Sequence, residues 1–365
     1  MINKQSIYYW FFFPLLALLS AGSLTSCIYD SVLEETDMSG KSTLSITMRG
    51  VTNSPDVYGY DEYIETLRII VFDASGLVCN QFYGQTEIDT WDVNGESPNT
   101  YYNITQELQN FSGGNCRFYF IANEEGYNIS SNNATTLSTF LNNESLTEDG
   151  LKACIIASTP DDQDWSEKPI LMIANPSAQY IKPGNDIKIA DVELVRCIAK
   201  VQLIVKKDNT ITDNANVTVS NVSLHGSRPD SYTLWENGMV INGINYSKTL
   251  LSSTASSTVG SDSPYSSDIV YFPETLSSNN TTEGNLYFTF TLNYTPNGSS
   301  TPTVKTYTVA IGKDEDNDGT VEDYNIYRNT IYTVTATLQW QPTTPELNIQ
   351  VDAWNEVEVD VPAFE

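Results

Sequence analysis

The sequence predicts an all-β fold built from two tandem antiparallel β-sandwich domains, and three observations carry that expectation. Twenty-two Tyr and 13 Phe stand among abundant Thr, Val and Ile, the aromatic and β-branched types that suit a pleated, half-buried surface. Short apolar segments alternate with polar residues at period two, the pattern of sheets that bury one face. Clusters of turn residues separate those segments. A chain of 365 residues is long enough for two domains of ordinary size, each with its own core.

The first element lies outside both domains. Lys4 precedes an apolar stretch from Ile7 to Leu19, followed by Leu24-Thr25-Ser26-Cys27. A bilayer-spanning helix needs about 20 apolar residues, whereas a signal-peptide core needs about 7–15, so residues 1–26 read as an export signal that is removed. Leu-Thr-Ser-Cys resembles a bacterial lipobox, which would make Cys27 the acylated first residue of the mature chain. The alternative is an ordinary signal peptide with a chance cysteine. No later run is apolar enough to span.

Eighteen Lys+Arg stand against 46 Asp+Glu, a formal net charge of −28. Such a chain repels nucleic acid. With Cys27 assigned to lipid, Cys79, Cys116, Cys154 and Cys197 remain. Their apolar surroundings favour small buried thiols, while an even number in an oxidising compartment leaves disulfides open, with a pairing that spacing does not decide. No cysteine or histidine spacing suggests zinc.

The strands follow in order. Leu44, Ile46 and Met48 alternate first. Leu67 to Phe72 leads into the turn Asp73-Ala74-Ser75-Gly76, and Leu77 to Phe82 returns as its hairpin partner. Arg117 to Ala122 makes another strand. Leu137, Phe140 and Leu141, at i, i+3 and i+4, predict one short helix on the sandwich edge. The chain turns at Pro183-Gly184-Asn185-Asp186, and a long run from Val192 to Val205 opens the second domain. Val217 to Leu224, Ile269 to Phe272, Leu286 to Leu292, Val304 to Ile311 and Tyr324 to Leu338 read as further strands. Ser/Asn-rich stretches at Ser252 to Ser267 and Ser277 to Asn285 read as loops. His225, the single histidine, falls in an expected turn.

In the C-terminal tail, Leu347, Ile349, Val351 and Ala353, then Val357, Val359 and Val361, all hold odd positions with polar residues between them. Side chains in a strand alternate faces, so one face is apolar throughout and Trp354 breaks out to the other. Such a tail either closes its own sheet as a final strand or lies in a hydrophobic groove as one or two strands.

Taken in order, these segments resemble the fimbrillins, the subunits of type V pili on certain anaerobic Gram-negative bacteria. The matching pieces are the lipobox, Thr43 to Arg49, Glu65 to Asp73, Phe118 to Asn123, Val195 to Val201, Tyr324 to Tyr332 and the Trp354 tail. The resemblance covers nearly the whole chain and implies transthyretin-like sandwiches divided as residues 27–50, a pro-segment with a removable first strand; 51–188, the N-terminal domain; 189–345, the C-terminal domain; and 346–365, a donor tail. It further implies a lipoprotein of the outer membrane, cut by an arginine-specific protease so that a neighbour's tail fills the groove at the cell surface. Other pilus subunits would be the partners through β-strand addition, which satisfies unpaired backbone and an apolar channel together. Arg49 is the only arginine between Cys27 and Arg68, and Gly50, Asn53, Ser54 and Pro55 follow it, which makes Arg49 and Gly50 the expected processing site. The start Cys27-Ile28-Tyr29-Asp30 also looks like that of anchor subunits that keep their lipid and first strand. Stalk, anchor and tip subunits therefore all remain open.

Asp314, Asp316, Asp318 and Gly319 match the first half of a calcium loop. Asn325 stands where a bidentate Glu belongs, and the flanks read as strands, so the segment is no EF-hand: it is an acidic solvated hairpin loop or a looser calcium site. No cofactor is otherwise expected. No recognisable nucleophile motif accompanies His225, and an enzyme is not expected. The alternative of a different class is a surface glycan-binding lipoprotein with Trp91, Trp165, Trp235 or Trp340 as stacking platforms.

Overall fold

A computed structural model describes residues 42–49, 63–94, 101–108, 114–130, 135–157, 168–182, 187–208, 216–235, 243–260, 262–276, 285–295, 298–312, 321–339 and 346–353. In the N-terminal half the strands are β1 (Ser42–Arg49), β2 (Leu67–Asp73), β3 (Gly76–Tyr83), β4 (Asp92–Asn94), β5 (Tyr101–Leu108), β6 (Gly114–Ala122), β7 (Ile155–Ala157), β8 (Met172–Ala174), β9 (Gln179–Ile181), β10 (Ile187–Glu193) and β11 (Val195–Arg196). Three short helices join them: α1 (Gln85–Ile88), α2 (Leu137–Leu141) and α3 (Glu148–Lys152). The C-terminal half holds β12 (Ile198–Lys207), β13 (Asn216–Pro229), β14 (Ser231–Thr233), β15 (Gly243–Thr258), β16 (Tyr265–Ser266), β17 (Val270–Pro273), β18 (Tyr287–Thr295), β19 (Thr303–Ala310), β20 (Ile331–Gln339) and β21 (Glu346–Ala353). The chain is all-β, as the composition and alternation predict.

The first half stacks a sheet of order β10-β1-β5-β4 on one of order β11-β8-β6-β2-β3, with β9 added to β6. The second stacks β16-β12-β20-β21, with β17 added to β12, on β15-β13-β18-β19. Pairing is mostly antiparallel, with one parallel pair in each half: β1 with β10, and β12 with β20.

The run Leu67 to Phe72 does not alternate, and the structure shows why: β2 is buried on both faces. Leu67, Ile69 and Val71, with Phe118 and Phe120 of β6, face the sandwich core that includes Ile104, Ile189 and Val192. Ile70 and Phe72, with Tyr119 and Ile121, face a second apolar layer that holds Leu137, Leu141 and Leu151 from the helices. A strand covered on both sides reads as a continuous apolar run. The expected hairpin turn forms as Asp73 Oδ1 accepts from Ser75 N at 2.7 Å, and Gly76 takes φ 124°.

Several expectations are corrected. The Ser252 to Ser267 stretch is not a loop over its first half, because β15 runs through Thr258 and, past a register shift after Leu251, pairs Ser256 to Thr258 with Ser220 to Thr218 of β13, its hydroxyl-bearing residues mostly exposed; Thr and Ser fit an open strand face when a partner strand supplies the hydrogen bonds. His225 lies within β13 instead of a turn, its Nε2 and Nδ1 each 3.0 Å from the hydroxyls of Thr289 and Ser247, its ring stacked on Tyr287. Tyr324 to Leu338 is strand only from Ile331: Asn329 takes φ 55°, and Asp323 Oδ1 accepts from Asn325 N in a local turn. The run Val192 to Val205 is three pieces, since the chain passes from one sheet to the other at Leu194 and bends at Cys197 before β12. Sheet pairing of the N-terminal half runs through Arg196, where β11 pairs with β8. None of the four described cysteines is in a disulfide, and burial pushes the Cys79 and Cys116 thiols up to about 11 and Cys154 to about 12.

Candidate assembly interface

The strand β1 is central in its sheet. One edge pairs antiparallel with β5, from Ser42 opposite Leu108 to Arg49 opposite Tyr101. The other pairs parallel with β10, from Leu44 opposite Ile187 to Arg49 opposite Glu193, with a register shift between Ile46 and Met48. Ile46 thus lies between Ile104 and Ile189, both fully buried, and Met48 is opposite the buried Val192. The alternation of Leu44, Ile46 and Met48 therefore follows the core side of the sandwich in register. Taking β1 away would leave two unpaired backbone edges facing one another across an apolar floor.

Arg49 is the last residue of this strand. Gly50 and Cys27 lie outside the described residues, as do Val357, Val359, Val361, Trp165, Trp340 and the acidic loop Asp314, Asp316, Asp318. Elsewhere, among the described residues, no group of three or more His, Cys, Asp or Glu side chains could hold a metal, and no helix is long and apolar enough to cross a membrane.

The described part of the tail forms β21, antiparallel to β20 at the edge of its own sheet. Leu347, Ile349, Val351 and Ala353 are in register with Leu338, Ala336, Val334 and Tyr332, all buried. In the single chain the tail therefore closes its own sheet, one of the two readings its alternation allows. The two strands contrast in situation but not in length: each has eight residues, yet β1 pairs on both sides and β21 on one.

Two buried arginines hold the surroundings of this apparatus. Arg68 Nε and Nη2 donate to the two carboxylate oxygens of Glu124 at 2.7 and 2.6 Å, and Nη1 donates to Asn80 at 2.8 Å. Asn123, at φ 63°, accepts from Glu65 N and donates to the carbonyls of Tyr63 and Ile170. The matching pieces Glu65 to Asp73 and Phe118 to Asn123 thus form one buried polar clamp across β2 and β6. Arg328 does the equivalent at the joint between the halves: Nη2 donates to Glu274 at 2.7 Å and to the Thr233 carbonyl at 2.8 Å, and Nη1 to the Leu234 carbonyl at 2.8 Å. Beside it, Arg196 donates to Asn329 at 2.9 Å, β14 pairs with β7, and Trp235 donates to the Leu151 carbonyl at 3.0 Å. Sequence reasoning missed this joint, whose signal was the polar run Arg328-Asn329-Thr330 directly before a strand.

Of the tryptophans weighed as platforms, Trp235 is buried and Trp91 half-buried, edge-on to Tyr83 at 5.3 Å.

No protein-family model and no curated relative matches this chain. Solved structures do. The tip fimbrial protein Mfa3 from Porphyromonas gingivalis superposes with a TM-score of 0.52 at 14% identity, over 86% of this chain and 100% of that one. A candidate cell adhesion protein from Parabacteroides distasonis gives 0.52 at 14%, over 87% and 100%. A fimbrilin from Porphyromonas gingivalis gives 0.51 at 11%, over 87% and 98%. The chain has the fold of these fimbrial proteins, which agrees with the resemblance read in the sequence.

Proposed function

We propose that this chain is a non-enzymatic subunit of a cell-surface fimbria, of the fimbrillin family, exported as a lipoprotein acylated on Cys27 and cut after Arg49 by an arginine-specific protease. The observation that carries the reading is the position of β1: it is the middle strand of its sheet, and it ends at the one arginine that precedes the N-terminal domain. A cut there frees an entire strand and no more. The slot left between β5 and β10 calls for eight residues with apolar side chains at the alternate positions of Leu44, Ile46 and Met48, which Leu347 to Trp354 supply with Ile349, Val351 and Ala353. Because β21 pairs on one side only, it can leave β20 without dividing its sheet and complete the sandwich of a neighbour. A contact of this head-to-tail kind does not close, so it builds filaments.

The shared fold of a fimbrilin and a tip fimbrial protein does not separate stalk from tip, and an anchor would retain β1. One experiment covers all three: mass spectrometry of the protein sheared from cells, with its N-terminus read directly, in wild type and Arg49→Ala. A Gly50 start in high-mass polymer, lost in the variant, supports a processed stalk or tip subunit. An acylated Cys27 start in wild type means that β1 stays and the subunit is an anchor or a lipid-held binding protein.

A further inference from the structure

A cleft of about 480 Å³ opens beside the junction, lined by Ile173, Asn175, Pro176, Glu193, Val195 and Trp235. Its size lies within the range of about 300–1,000 Å³ typical of ligand pockets. Its position is informative, because Glu193 is the register partner of Arg49 in the parallel pair of β1 and β10. The cleft therefore adjoins the end of the slot at which β1 finishes. Register partners on adjacent strands share a face, so whatever takes the place of Arg49 comes to lie on the side of Glu193.

We propose that this cleft seats the indole of Trp354 from a second copy of the chain as that copy's tail fills the slot of β1. The inference rests on the strand-exchange reading above and adds its direction, its register and its anchor. Leu44, Ile46 and Met48 are spaced two apart and followed at once by Arg49; Ile349, Val351 and Ala353 are spaced two apart and followed at once by Trp354. Laid in the direction of β1, the three apolar residues take the core positions and Trp354 takes that of Arg49. The opposite direction would carry Trp354 towards the end where Ser42 meets Leu108, roughly 20 Å away at about 3.3 Å per residue. The chemistry of the cleft also suits an indole. Ile173, Pro176, Val195 and Trp235 offer apolar wall, while the exposed Glu193 carboxylate and the Asn175 amide oxygen at the rim offer acceptors to an N–H that only donates. Placing Trp354 at the position of Arg49 also puts a large apolar side chain beside an apolar wall, which favours the incoming strand over the one cut away.

The test uses the full-length chain, cut with an arginine-specific protease and allowed to polymerise, with a photo-cross-linking benzoylphenylalanine in place of Trp354. Cross-linked peptides joining position 354 of one copy to residues 173–176 or 193–195 of another are the expected result. Polymers of Trp354→Ala should dissociate at least about tenfold faster than wild type, and Trp354→Phe should fall between. Cross-links confined to the Ser42 end of the slot, or a Trp354→Ala dissociation rate equal to wild type, would overturn the proposal while leaving strand exchange standing. Polymers that still form when residues 346–365 are deleted would instead remove strand exchange by this tail, and the anchor with it.

Discussion

At the scale of single residues, the features read as family resemblance turn out to be buried polar joints, and their energetics are asymmetric. Arg68 and Glu124 are both fully buried. Breaking such a pair leaves one uncompensated charge in the interior, so Glu124→Ala should lower unfolding stability by about 3–5 kcal/mol in urea titrations, whereas replacing both partners with apolar residues of similar volume should cost far less. A second residue gives a pH signature. Glu148 accepts from Arg117 at 2.7 Å and Tyr119 at 2.6 Å and pairs with Lys152 at 2.8 Å. The Arg117 hydrogen bond above all, with those of Lys152 and Tyr119, holds its carboxyl down at about 2, against an ordinary 4.5. The folded state thus binds this proton more weakly than the unfolded one. The stabilisation is fully present above pH 4.5 and lost as pH falls towards 2. Because water reaches the cluster, the contribution is about 1–2 kcal/mol, and Glu148→Gln should remove that part of the acid slope when thermal stability is measured between pH 6 and 2.

At the scale of elements, backbone geometry decides where strands bend. Within β13, opposite Tyr246, Gly226 takes φ 144°, where an added Cβ would come within 2.6 Å of the Asn285 carbonyl oxygen and 2.8 Å of Leu286 Cα. Neither backbone atom can step aside cheaply, so Gly226→Ala should destabilise the C-terminal sandwich by about 2–4 kcal/mol, visible as a lower urea midpoint. Gly298→Ala, with φ 79° but open space around it, should cost less. The same positions show what the sequence could reveal. The hairpin of β2 and β3, the core strand β6 and the helix α2 were legible because their apolar spacing is local. The slot was half legible: Leu44, Ile46 and Met48 announce a strand, but nothing near them says that β10, some 140 residues later, is its parallel neighbour. The strand β15 was not legible, since Ser and Thr in a row carry no hydrophobic period and become a strand only because β13 offers its edge. Asn329, at a left-handed φ, breaks the expected strand Tyr324 to Leu338 and delays its start to Ile331 for a reason that periodicity does not encode.

At the scale of the whole molecule, the question is whether the two sandwiches move as one body, since a filament joined by exchanged strands inherits its stiffness from its weakest joint. The structure ties them in three ways: the β14–β7 pairing, the shared apolar layer from Ile70 and Tyr119 to Cys197, Tyr232 and Trp235, and the donors of Arg328 and Arg196. Arg328 is the most consequential of these, because it neutralises Glu274 and satisfies two carbonyls of the segment that crosses onto the first half. Arg328→Met would leave a half-buried carboxylate and two carbonyls without those donors, a loss of about 2–4 kcal/mol. Placed at a joint, that loss should act on the coupling as well as on the total. Calorimetry should show one cooperative transition in the wild type resolving into two in the variant, with a larger radius of gyration in solution scattering. A variant that melts in one transition, merely at lower temperature, would mean that the apolar layer alone couples the halves. On the strand-exchange reading, coupling through Arg328 would make the two halves of a subunit move together and leave bending to the exchanged strands between copies, with Trp354 in its cleft limiting that bending at one end of each joint.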